Sequence, residues 1–136
     1  MDDHAVLAEH LHRISEREPR IAQRVYESLF QRHPQLQELF GPHAEAVQQD
    51  MVNETLIGAV DSLEGMAWLD SNLQLLGAKH VEFDVGEEMY EWWAESVLEA
   101  LSDASGPDWS PHLERLWRGR MDHLCTHMRR GARNGS

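Results

Sequence analysis

The sequence predicts an all-α protein. Apolar residues recur at helical spacing along almost the whole chain, and no stretch alternates apolar and polar residues strictly over six positions. Pro and Gly breaks fall between the periodic segments and not inside them. With 136 residues and no internal repeat, one hydrophobic core and no second domain are expected. Residues 1–128 are taken as that domain, and residues 129–136, which have no apolar anchor, as a disordered tail.

A first helix is expected from Asp3 to Glu16, with Leu7, Leu11 and Ile14 on one face. Pro19 opens a second, because a first-turn proline lacks only an N–H that would be unpaired there anyway. That helix carries Ile21, Val25 and Leu29 and ends at His33-Pro34. A short third piece holds Leu36, Leu39 and Phe40 before the Gly41-Pro42 break. The long helix over 43–64 lines up Val52, Leu56, Ala59 and Leu63. From Trp68 the next helix buries Leu69, Leu73 and Leu76, and the same stripe then reaches His80. Asp84 and Glu87 have capping-box spacing for a helix running to about Leu101, with Tyr90, Ala94, Val97 and Leu101 inward. Residues 103–108 read as a loop. Ser110 and Pro111 are N-cap and first residue of a last helix lined by Leu113, Trp117, Met121, Leu124 and Met128.

Charge narrows the function classes. Lys and Arg number 12 against 24 Asp and Glu, a net charge of −12, so nucleic acid and anionic bilayers are repelled over most of the surface. Neither a membrane span nor a secretory h-region is present in the sequence, which places the protein in the cytoplasm with no stable membrane association. Cys125 is the only cysteine, which excludes an internal disulfide and any multi-cysteine metal site.

His80 is the sharpest feature, because an imidazole at the inner end of a leucine stripe is either a hydrogen-bonded core residue or a ligand to something buried. Tyr26 flanks Val25 on an inward face, where its phenol needs a partner unless the tip reaches solvent. Gln48 heads the Val52–Leu56 stripe, while Gln49, about 100° further round, faces outward. His123 and His127 stand i, i+4 on one helix, a spacing that holds metals but also suits a solvated pair. Glu9 and His12 have the spacing of a di-iron bundle motif without the second copy such sites need. Trp92 and Trp93 read as packing, and Cys125 as a small buried hydrophobe.

The order of these residues resembles the globin family. Tyr26-Glu-Ser-Leu-Phe30, His33-Pro34 and Leu39-Phe40 are similar to the second and third helices of bacterial flavohemoglobin globin domains and Vitreoscilla-type single-domain globins. Leu76-Gly-Ala-Lys-His80, followed by Val85 and Tyr90, resembles the proximal helix of the same proteins and of neuroglobin. The resemblance covers roughly residues 5–128 and implies a globin fold of about seven helices, three over three, around a heme b (iron protoporphyrin IX). It puts the iron ligand at His80 and the heme-packing phenylalanine at Phe40. Counting back from His80 without a gap, it puts the distal residue at Gln48 and its pocket neighbour at Val52. Leu56, Leu73, Leu76 and Val97 are the further expected lining. The glutamate that polarises the proximal histidine in flavohemoglobins, paired there with the tyrosine matched by Tyr90, is missing: no Asp or Glu follows Asp122. No length remains for their reductase module, so electrons are expected from an external reductase.

The implied function is reversible binding of oxygen, nitric oxide and carbon monoxide, with oxygen transport among its uses. Tyr26 and Gln48 donate hydrogen bonds to a polarised ligand, and nitric oxide dioxygenation is the enzymatic activity it raises. The alternative is a heme-based gas sensor that signals to a partner protein.

Overall fold

The computed structural model describes residues 2–40, 45–65, 67–81 and 85–134, without the side chains of Phe40, Glu64, Ala67 and Trp68. Among them are seven α-helices and no strand: α1 (Asp3–Arg17), α2 (Ile21–Arg32), α3 (Gln37–Phe40), α4 (Glu45–Asp61), α5 (Ala67–Val81), α6 (Glu87–Ser105) and α7 (Pro111–Asn134). No helix among the described residues is long and apolar enough to cross a membrane.

Local chemistry explains most boundaries. Asp2 caps α1, its Oδ1 accepting from the Ala5 N–H at 2.8 Å. Ser110 caps α7, its Oγ accepting from the Leu113 N–H at 3.1 Å, with Pro111 as first residue. Pro19 sits in the turn just before α2, and Pro34 opens the 3-10 turn Pro34–Leu36 that leads into α3. After α4 a 3-10 turn, Ser62–Glu64, stops at Gly65, whose φ of 67° is the left-handed conformation that glycine adopts without strain.

Three boundaries differ from the sequence expectation. α6 starts later than a capping box at Asp84 implies: Gly86 is its N-cap and Glu87 its first residue, and the Glu87 carboxylate accepts from Arg133 Nε at 2.6 Å. Asp84 lies outside the described residues, as does the Gly41-Pro42 break. α6 also runs on through 103–105, because Ser105 hooks back to the Leu101 carbonyl at 2.7 Å and is buried against α1. Finally, α7 continues to Asn134, six residues into the 129–136 stretch expected to be disordered. Gly131 and Ala132 are buried there, and a Cβ at Gly131 would overlap the Gln74 carbonyl of α5.

The core contains Leu7, Ile14, Val25, Val52, Val97 and Trp117, each no more than 1 % exposed. α4 packs on α1, α2 and α7, and α6 on α2 and α7. α5 packs almost wholly on α7. Two glycines allow that close approach, Gly131 and, on α5, Gly77, where a Cβ would overlap the Met128 carbonyl.

Candidate functional site

Between α4, α5 and α6 lies a cavity of about 460 Å³, whose lining also includes Leu29, Leu124 and Met128. That volume is within the usual range for a small-molecule or cofactor site. Its wall is predominantly apolar, and apolar side chains are left uncovered beside it: Val47 is 44 % exposed and Leu76 39 %. A polypeptide gains by covering such surface, so an apolar occupant suits it.

α5 supplies one wall through Leu69, Leu73, Leu76 and His80, the leucine stripe foreseen from the sequence. His80 is half-buried. Its Nδ1 lies 2.8 Å from the Leu76 carbonyl oxygen. A carbonyl can only accept, so Nδ1 carries a proton, and in the neutral ring Nε2 is then the nitrogen with the lone pair. The carbonyl one turn back is the partner that the helix geometry predicts for this ring.

Tyr90 and Val85 also line the cavity. The Tyr90 hydroxyl is buried with no hydrogen-bond partner among the described residues, and burial raises its phenol above the ordinary range. An orphaned buried hydroxyl costs roughly 1–3 kcal/mol, so its presence beside the cavity marks a place where a ligand's polar group would be stabilising. No carboxylate from α7 reaches it. From α7, the Arg129 guanidinium lies 5.9 Å from the Tyr90 ring centroid, and the Cys125 thiol, pushed up to about 11 by burial, donates to the Tyr90 backbone carbonyl at 3.5 Å.

The α4 wall differs from the stripe foreseen. Val52 and Leu56 are fully buried, as is Val97 of α6, but they fill the core behind the cavity and do not line it. The lining comes from the neighbouring stripe, Val47, Met51, Thr55 and Gly58. The physical reason is that α4 must satisfy two sides at once. Its most apolar stripe turns to α1, α2 and α7, and the next stripe faces the cavity.

Tyr26 and Gln48 are brought together, behind the wall. The Tyr26 hydroxyl donates to the Gln48 backbone carbonyl at 3.2 Å. Burial pushes the phenol far above its usual range, so it remains a neutral donor. Its ring meets Trp93 edge-on at 5.4 Å, and Trp93 is itself part of the lining. Gln49 is exposed, as its position on the helix predicts. The Phe40 side chain lies outside the described residues.

Sequence reasoning missed Trp93, which is not packing alone: its indole N–H donates to Thr55 Oγ1 at 3.3 Å across the cavity wall. Trp92 stacks on His33 with ring centroids 4.0 Å apart. The i, i+4, i+7 spacing of Met51, Thr55 and Gly58 was the available signal, and only its low hydrophobicity hid it.

Residues 23–128 match the globin family model. An uncharacterized globin-like protein of Aquifex aeolicus (strain VF5) is 26 % identical to this chain over 105 residues, covering 77 % of this chain and 73 % of that protein.

Proposed function

The chain belongs to the globin family, and from that premise we propose that it holds a b-type heme against His80 and reversibly binds oxygen, nitric oxide and carbon monoxide. The single observation carrying this reading is the His80 ring: Nδ1–H is engaged by Leu76 O, and Nε2 is left with its lone pair beside an apolar cavity. The residues fit the group. Leu73, Leu76, Val85 and Met89 offer apolar contact to a flat disc, and Tyr90 offers an unpaired hydroxyl to its polar edge.

When bound, the heme supplies an iron with a position open to a diatomic gas. The protein's part is to exclude water, orient the His80 ring and hold a donor ready. The Leu76 carbonyl fixes the tautomer and the ring plane. Tyr26 is the proposed principal donor to a polarised ligand, with Gln48 assisting, and it turns its hydroxyl from the Gln48 carbonyl to do so. Nitric oxide dioxygenation is the reaction we assign to the site, with sustained turnover drawing electrons from a separate reductase. Because the acceptor on Nδ1 is a backbone carbonyl and not a carboxylate, His80 is a near-neutral ligand and peroxidase activity is weak.

The test is the absorption spectrum of the purified protein, oxidised, reduced, and reduced under oxygen or carbon monoxide, beside that of His80→Ala. His80→Ala should lose the proximal bond and much of the heme-linked stability, about 4 kcal/mol when free heme is a thousand times its dissociation constant. An unchanged ferrous spectrum and melting temperature would refute the assignment. Tyr26→Phe should speed oxygen release about tenfold or more and leave carbon monoxide, a less polar ligand, nearly unaffected. Equal effects on both gases would make Tyr26 a steric element instead.

A further inference from the structure

A quarter-turn round α5 from the cavity, three side chains converge on the seam with α7. His123 and His127 stand one turn apart on α7, with ring centroids 4.6 Å apart. Asp70 of α5 reaches both: its Oδ1 is 2.8 Å from His123 Nε2, and its Oδ2 is 3.6 Å from His127 Nε2. One ligand atom from each of the three lies within 4.8 Å of the others, and all three side chains are half-buried.

We propose that Asp70, His123 and His127 form a site for a divalent transition-metal ion of the zinc type, which ties α5 to α7. The inference does not rest on heme binding. A hydrogen bond explains His123 against Asp70 but not His127, whose Nε2 is too far from Oδ2 for one. Two imidazoles and one carboxylate are the donor set of borderline ions, whereas magnesium and calcium take oxygen ligands. Ligand distances of about 2.0–2.2 Å in a tetrahedron place donor atoms about 3.3–3.5 Å apart. The two Asp70 contacts bracket that spacing, and with all three donor atoms within 4.8 Å of one another the side chains have to close by no more than about 1.3 Å on a shared ion. Water takes the fourth position, as in zinc sites with three protein ligands.

The surroundings agree. Gln74, one turn along α5 from Asp70, sets its amide 3.2 Å from His127 Nδ1. With that amide turned so that Oε1 accepts from Nδ1–H, Nε2 is free to bind, which is the outer hydrogen bond that metal-bound histidines have. A chain of net charge −12 also favours a cation at its surface. Because α5 packs almost wholly on α7, an ion here clamps the helix that carries His80 at a second point beyond its glycine contacts.

The experiment uses the full chain, freed of loosely held metal by chelator and dialysis, then titrated with zinc against a competing indicator and followed by thermal melting. One high-affinity equivalent is expected, with a melting temperature about 5–10 °C higher when free zinc is a hundred times the dissociation constant. His127→Gln and Asp70→Asn should each weaken that equivalent at least tenfold and remove the zinc-dependent rise. Two variants are used so that one that fails to fold does not decide the matter. His12→Gln, an exposed histidine paired only with Glu16, should change nothing. Equal zinc binding by the wild type and both seam variants overturns the proposal, as does an equal loss in His12→Gln, which would make the zinc adventitious.

Discussion

Helices α1 and α5 are the same length, fifteen residues each, and are anchored in opposite ways. α1 meets α4, α6 and α7, and its Leu7, His10 and Ile14 are at most 1 % exposed. Its one buried imidazole is completely satisfied: the Trp117 indole donates to His10 Nδ1 at 2.9 Å, and His10 Nε2–H then donates to Ser105 Oγ at 2.8 Å. The Ser105 hydroxyl in turn donates to the Leu101 carbonyl at 2.7 Å, and Arg17 donates to the Ser105 carbonyl at 2.9 Å. α5 has α7 as its principal neighbour, shows Leu75 at 69 % exposure, and carries an imidazole with one nitrogen that no described residue engages, beside a cavity. A histidine at the inner face of a helix can therefore be a finished piece of core or a residue that presents a ring nitrogen to a cavity. What separates the two is whether protein groups meet both ring nitrogens.

The sharpest way to break this contrast is to remove the polar anchor of α1. Trp117→Ala deletes a fully buried indole and leaves His10 Nδ1 without its donor, so a loss of about 4–5 kcal/mol in denaturant unfolding is expected. A loss under about 2 kcal/mol would mean that the network does not anchor α1. Gly77→Ala attacks the other helix. Its Cβ would overlap backbone and not a flexible side-chain end, so α5 must lift from α7, at a cost of about 3 kcal/mol. A melting temperature unchanged by that substitution would show that the seam is looser than its geometry.

The third prediction sets the two histidines apart by pH. Burial lowers His10 to about 4, against an ordinary value of 6.5, with Arg13 adding to the effect. The unfolded chain therefore binds the proton more readily than the folded one. The stability from neutral His10 is complete above pH 6.5 and is lost as pH falls from 6.5 to 4, by up to about 3 kcal/mol. Urea unfolding of the wild type and His10→Gln over that window checks it. The variant should lack most of this slope, and an identical slope would assign the acid sensitivity to other groups.

The helical class, the order of elements and the path of the leucine stripe to His80 were legible because each depends on local periodicity, and a helix repeats every 3.6 residues wherever it packs. The Leu76 carbonyl as partner of His80 was legible for the same reason, since a turn of helix places it there. His10 was not singled out, although its place three residues after Leu7 and four before Ile14 made its burial readable. Its partners were not, as Ser105 and Trp117 lie 95 and 107 residues away.

What the sequence by itself determined is thus each helix and the face it buries. Only the tertiary structure decided which of two adjacent stripes on α4 meets the cavity, since that depends on how α1, α2 and α7 compete for the more apolar one. It also decided that α7 runs to Asn134 and that Asp70 meets His123 and His127. These contacts join distant segments whose separate periodicities carry no information about their mutual rotation, and close packing between helices sets that rotation.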